Sequence, residues 1–166
     1  MRVNKRMAAL LAASQGAAIV DVPEKFRWLL AAGVREVDGC VFLRELFTAD
    51  DASALPSFHD AVGFECSINK VHLEDFLDRG YAREPAALAL IALSSARLLA
   101  TTLHRVSNAT FRIIASVQGR HSTLRFHKVR EGESWLAEDL DGYAEEAIFV
   151  LDTDDPSVTK RKETET

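Results

Sequence analysis

Five histidines, two cysteines and 25 carboxylates are the groups from which this chain could build a reactive or binding site. The arrangement nearest to an enzyme is His127 with Arg130, Glu131, Glu133 and Asp139. A histidine beside a carboxylate near a strand end can do general acid–base work, and an arginine can hold an anionic substrate. The plainer reading is that Arg125 and Arg130 pair with neighbouring acids and that His127 belongs to that network, because nothing in the sequence sets the geometry such catalysis requires. A second set, Glu65, Ser67 and Asn69 with Arg112, Arg125 and His127, would form the outward face of a sheet, where alternating charges are the ordinary cross-strand pairs. The glycines make no GxGxxG, Walker-type or Gly-x-Ser-x-Gly motif. His121 and His127 would share one strand face but lie about 20 Å apart, too far to share a metal ion. Cys40 and Cys66 sit in apolar segments away from other ligands and read as buried free thiols in a reducing compartment. We therefore expect no catalytic residue, metal or cofactor.

Charge distribution says more. The stretch Glu131–Asp155 holds ten carboxylates: Glu131, Glu133, Glu138, Asp139, Asp141, Glu145, Glu146, Asp152, Asp154 and Asp155. It contains no lysine or arginine, so the rest of the chain carries all 20 basic residues against 15 acids, a net of +5 beside a total of -5. A solvated helix ordinarily mixes signs, since opposite charges four residues apart stabilise it and like charges repel. Acids kept together need compensation, either from internal salt bridges or from a basic partner whose approach the field accelerates. Glu131, Glu133, Glu138, Asp139, Asp141 and Glu145 are the candidate partner-binding residues. Such a face repels a nucleic-acid backbone.

Local patterns place these groups on an α+β fold, a mainly antiparallel sheet of four or more strands packed against helices in a single domain. Residues 1–60 would supply the N-terminal helices, residues 62–153 the sheet-and-helix core, and residues 154–166 a disordered tail with too little apolar content to pack. MRVNKR before MAALLAA mimics the start of a secretory signal, but no cleavage site follows, and an amphipathic helix over Asn4–Gln15 stopped by Gly16 is expected. A second helix runs from Pro23 to Gly33 on a stripe of Phe26, Leu29 and Leu30, with Trp28 a core residue by default or else a contact residue. Asp38-Gly39 between Val34–Val37 and Cys40–Leu43 predicts a hairpin, and Thr48–Asp60 a loop. Phe64–Leu73 alternates, then slips phase, which predicts a strand bulged near Asn69-Lys70, followed by a short helix over Glu74–Asp78 and a break at Gly80. Pro85 opens a core helix reaching Leu103, interrupted by Ser94, Ser95 and Arg97 and so not a membrane span. Thr110–Gln118 and Ser122–Arg130 form a hairpin around Gly119, with Leu124 and Phe126 inward and Arg125 and His127 outward. Ser134 would cap a helix presenting Leu136, Leu140 and Tyr143, and Ala147–Leu151 is a strand covered on both faces.

Three stretches together carry a family likeness: FECSINKVHLEDF (Phe64–Phe76), TFRIIASVQ with STLRFHKVREGESWL (within Thr110–Leu136), and EDLDGYAEEAIFVLDT (Glu138–Thr153). Arg125-Phe126-His127-Lys128 followed by Arg130-x-Gly132-Glu133-x-Trp135-Leu136 is the most specific part. These segments, spanning Val62 to Thr153, resemble immunity proteins of bacterial contact-dependent inhibition and related polymorphic toxin systems. The resemblance implies a cytoplasmic, non-enzymatic protein that binds a cognate toxin domain, basic and in many cases a nuclease, and blocks it. It implies a protein partner with neither nucleic acid nor membrane as ligand, leaves the oligomeric state open, and gives Phe126, Trp135 and Leu136 a place in the core. The rival classes are a small acidic secretion chaperone and a small hydrolase or nuclease using His127 and nearby carboxylates.

Overall fold

A computed structural model describes residues 1–14, 21–53, 57–77 and 84–159. In chain order the elements are β1 (Arg2–Val3), α1 (Lys5–Ala13), α2 (Glu24–Ala31), β2 (Val34–Val37), β3 (Cys40–Leu43), α3 (Ala61–Ile68), β4 (Val71–His72), α4 (Pro85–Val106), β5 (Phe111–Gln118), β6 (His121–Lys128), β7 (Ala147–Asp152) and α5 (Pro156–Thr159). The fold is α+β. One antiparallel sheet has the order β1-β7-β5-β6-β4, and β2 and β3 form a separate hairpin.

Alternation along β5, β6 and β7 divides the large sheet into two faces. Phe111, Ile113, Ala115 and Val117 share one side with Leu124, Phe126, Ala147, Phe149 and Leu151, and α4 and α1 close over them. Pro85 at the first position of α4 loses no hydrogen bond and starts the helix with its own fixed φ. By length and apolarity α4 could cross a bilayer, with mean hydropathy 1.7, yet it lies along the sheet and buries Leu88, Ile91, Ala92, Ala96, Leu99 and Leu103 there. Arg97, His104 and Arg105 are exposed on its outer side. Asn4 caps α1 by accepting from the Met7 N–H at 3.0 Å, and the same oxygen accepts from the Ile148 N–H at 2.9 Å, so one side chain fastens the first helix to β7.

Both tight turns form as the glycines indicate. Asp38 and Gly39 take φ of 50° and 77°, the two positive values of a type I′ turn, and Gly119 at 58° opens the β5–β6 connection. Residues 44–46 form a turn directly after β3.

Phe64–Leu73 is not a bulged strand. Asp60 caps a helix there, accepting from the Gly63 N–H at 2.6 Å, and only Val71–His72 is extended. The apparent alternation arises because α3 is covered on two sides, by the β2–β3 hairpin and by β6. Phe64 meets Phe42 and Phe58 with ring centroids 5.1 and 5.0 Å apart, and Glu65 and Asn69, one turn apart, are buried on the other side. The helix expected after Ser134 is absent too: apart from a 3-10 turn at Leu140–Gly142, residues 129–146 form an irregular strap. Gly132, Gly142 and the aspartates disfavour a helix, and the apolar side chains reach the sheet without one. The short acidic helix expected over Glu74–Asp78 is a 3-10 helix at Leu73–Phe76, and Asp78 lies outside the described residues. Residues 154–159 are ordered into a turn and α5, with Val158 packed on the main core and Asp155 ion-paired to the Met1 amino group. Trp28 and Trp135 are surface residues, 68% and 37% exposed, and not core. The expected helix end at Gln15-Gly16, the Pro56 part of the loop, the break at Gly80 and the tail at 160–166 lie outside the described residues.

Candidate protein-binding surface

The second face of the sheet carries Ile114, Ile148 and Val150, and the strap covers it. Leu140, Leu136 and Tyr143 pack on those three residues as a small second core. Val129 continues from β6, its N–H donating to the Thr110 carbonyl at 2.9 Å, and Arg130 then turns inward. Its guanidinium donates to both oxygens of Glu65 at 2.7 and 3.1 Å and to the carbonyls of Lys128 and Gly39. Gly132 reverses the chain with φ of 76°. Glu133 accepts from the Val62 N–H at 3.1 Å, in the first turn of α3, where the helix field favours a carboxylate. The Tyr143 hydroxyl accepts from the Ala137 N–H at 3.0 Å, and the Glu146 carbonyl accepts from the Asn4 amide at 2.8 Å. Apolar contacts and side-chain bonds therefore hold the strap down with little regular secondary structure.

The six candidate acids divide into two groups. Asp141 accepts from the Lys5 N–H at 2.8 Å and meets the Lys5 ammonium at 3.3 Å, and the backbone bond above all holds its carboxyl below the ordinary range. Glu133 is committed to α3. Glu131, Glu138, Asp139 and Glu145 are exposed and make no ion pair among the described residues; the Asp139 carboxylate accepts from the nearby Asp141 N–H. The remaining acids of the stretch lie apart. Asp152 forms a two-bond pair with Arg112 at 2.8 and 2.7 Å, and with Asp154 and Asp155 it lines a cleft of about 310 Å³ beside Arg2.

The proposed acid–base arrangement does not assemble. Arg130 is bound to Glu65, Glu133 to α3, and Glu131 and Asp139 face solvent. His127 is buried rather than outward. Its Nδ1 lies 2.9 Å from the Lys128 carbonyl, and among the described residues its Nε2 has no hydrogen-bond partner. Burial depresses its pKa below the usual imidazole value, so the ring is neutral. The second set separates as well: Glu65 and Asn69 project from a helix into the interior, Ser67 is exposed, and Arg112 is paired with Asp152. Both cysteines are free and buried, and burial raises the Cys66 thiol to about 12. Among the described residues no three histidines, cysteines or carboxylates are placed to hold a metal ion.

Two arrangements escaped sequence reasoning. Glu74 accepts from the Ser122 N–H at 2.9 Å and faces His121 at 3.0 Å and His72 at 3.6 Å, joining β4 to the start of β6. Burial alone would raise its carboxyl, but these partners outweigh burial and lower it. Arg125 places its guanidinium 5.0 Å from the centre of the Trp135 ring and donates to the Cys66 carbonyl at 3.4 Å. The Arg-x-Phe-x alternation put Arg125 on this face, but only the course of the strap brings Trp135 over it.

Fold and surface together define a small α+β domain whose second sheet face is strapped by an acidic segment. The chain belongs to the PM0498 family: the family model described as "Uncharacterized protein PM0498 family" matches residues 2–163, which includes the N-terminal helices. "Uncharacterized protein PM0498" of Pasteurella multocida (strain Pm70) is 30% identical over 104 residues, 59% of this chain and 65% of that relative. No solved structure matches significantly.

Proposed function

We propose that this chain is a bacterial immunity protein that binds and neutralises a cognate toxin domain, a nuclease by preference, in the cytoplasm and without catalysis of its own. The observation that carries the reading is the exposed carboxylates Glu131, Glu138, Asp139 and Glu145, unpaired among the described residues, within a stretch of ten acids outside which the chain is net basic. Opposite charges brought together at an interface raise the association rate and select against acidic partners. The strap suits this role because Leu136, Leu140 and Tyr143 fasten it to the sheet, which leaves its charged groups at a defined surface. A nuclease cleft that receives a phosphate backbone is basic, and the carboxylates would occupy the place of the phosphates.

The test is co-purification with the toxin domain encoded beside the gene, followed by growth of cells that express both. Reversing Glu131, Glu138 and Glu145 to lysine together should abolish the complex and the protection while leaving the circular dichroism unchanged. Undiminished binding by that variant refutes the acidic surface as the contact. Absence of any complex, with a stable dimer exposing apolar surface, favours a secretion chaperone instead.

A further inference from the structure

His59, His104 and His121 are exposed and His72 is half-buried, which leaves His127 as the buried histidine. It is 1% exposed. Its Nδ1–H donates to the Lys128 carbonyl, since a carbonyl only accepts, and the Nε2 lone pair is where a further proton would go. Among the described residues that Nε2 has no partner. The Lys128 carbonyl also accepts from the Arg130 guanidinium at 3.1 Å, so imidazole and guanidinium meet on one oxygen. On the other side Arg112 stands directly opposite His127 in the strand register. The charged groups facing the ring are therefore Arg112 from β5, Arg130 from the strap and Glu65 from α3. The nearby carboxylates are already engaged: Glu65 accepts from Val41, Lys128 and twice from Arg130, and Asp152 of β7 is bound twice by Arg112.

A proton on Nε2 would create a buried N–H without an acceptor and a new cation beside two guanidiniums. The site must yield at its weaker side. Arg112 is fixed, because β5 is paired along both edges and Asp152 holds the guanidinium by two bonds. Arg130 is less constrained: it follows the Val129 N–H bond to the Thr110 carbonyl and begins the irregular strap. We propose that His127 is an acid-sensitive latch whose protonation releases Arg130 from Glu65, and with it the start of the strap and the tip of the β2–β3 hairpin, while the large sheet stays folded. The hairpin tip is involved because Arg130 also holds the Gly39 carbonyl at 3.0 Å. The strap follows because its next tie is three residues on, where Glu133 meets the Val62 N–H. Burial lowers the proton affinity of the closed ring, and the released ring regains an ordinary value of about 6.5. Opening is thus favoured as pH falls below about 6.5, and the gain stops where the closed ring itself takes up the proton. The latch works whether or not the strap binds a partner.

Amide hydrogen exchange of the intact protein, followed by NMR from about pH 7.5 to about pH 5 and corrected for the intrinsic rate, tests the latch. The reporters are the Val41 and Lys128 N–H groups, which bond Glu65, and the Val62 N–H, which bonds Glu133. Ile114 and Ala115 in the middle of β5 report on the sheet. Protection of the three reporters should fall by up to about tenfold per pH unit below about 6.5. It should stay at least about tenfold below that of Ile114 and Ala115 and be insensitive to low urea, as a local opening requires. The fall should level off only where the ring 15N shifts show native His127 taking up its proton. His127→Gln should abolish the pH dependence of the three reporters. Should that variant fail to fold, the match between exchange and ring titration in the parent decides. The latch is overturned by protection that does not change with pH, by the same fall in His127→Gln, or by a fall that levels off away from the ring's own titration. It is overturned as well if the three reporters share the protection and urea response of β5, since they then open only with the whole protein.

Discussion

Replacing Glu65 should destabilise this protein more than replacing any acid of the strap. Glu65 is wholly buried, and its carboxylate accepts four hydrogen bonds: from the Val41 N–H at 2.7 Å, the Lys128 N–H at 2.8 Å, and the two Arg130 nitrogens at 2.7 and 3.1 Å. One turn further on, Asn69 accepts from the Leu43 N–H at 3.0 Å and donates to the Val41 and Phe126 carbonyls. These two side chains serve as the missing strand between β3 and β6 and tie the hairpin to the main sheet. Glu65→Ala leaves two backbone donors without partners, at roughly 1 kcal/mol each at the low end. It also strands a mostly buried guanidinium, and breaking such a pair costs about 3 kcal/mol or more. Because the groups share one site the contributions overlap, and a loss of about 4 kcal/mol is expected, a large part of a domain stability of roughly 5–15 kcal/mol. Glu65→Gln keeps the shape and one acceptor but turns an N–H₂ toward donors, so it should lose about half as much. Urea denaturation at pH 7 measures both. A double-mutant cycle with Arg130→Met should return part of the loss, since the orphaned charge is then gone. A Glu65→Ala protein within about 1 kcal/mol of the parent, with an unchanged denaturant slope, would refute this account of how the two sheets are joined.

Asn4→Ala removes the cap of α1 and the acceptor of the Ile148 N–H, and should cost about 2 kcal/mol by urea denaturation; a loss below about 0.5 kcal/mol would show that water replaces both bonds. His127 is held neutral by burial, so the unfolded chain binds its proton first as pH falls below 6.5, and stability should decline from there toward the lower folded-state value. His127→Gln should flatten that part of the stability–pH curve. Glu74 works in a lower window: its contribution is complete above 4.5 and disappears as pH falls through its depressed folded-state value, and Glu74→Gln should remove that dependence. The native protein should leave both cysteines unmodified by a disulfide reagent at pH 8 and react at two thiols per chain in guanidinium, since both are buried and the Cys66 thiol is raised to about 12; rapid labelling of native Cys66 would contradict that burial.

Local signals with a mechanism of their own were legible in the chain. Pro85, Asp38-Gly39, Gly119 and the alternation from Thr110 to Arg130 each name a backbone geometry, and each element formed where they placed it. Phe64–Ile68 failed because a short run with apolar residues at every second place also describes a helix covered on two sides, and nothing local states that the β2–β3 hairpin will lie against it. The helix after Ser134 failed for a related reason: Leu136, Leu140 and Tyr143 satisfy helical spacing, but they are equally well buried by an irregular strap that Gly132 and Gly142 allow. With the helix went the expected repulsion between stacked acids, and several carboxylates of the stretch proved to have structural work, Asp152 with Arg112, Asp141 with Lys5 and Glu133 on α3.

What the amino-acid sequence by itself determined is the class of fold, the hairpins, the long central helix, the buried thiols and the excess of acid between Glu131 and Asp155. These follow from composition and from interactions within a few residues. Only the tertiary structure decided which acids remain free, that Glu65 turns inward to Arg130, that His127 is closed off, and that Trp135 lies on Arg125 at the surface. Each of those depends on groups far apart in sequence, up to 65 residues for Glu65 and Arg130, whose meeting is settled by how the sheet, α3 and the strap pack and not by any local preference.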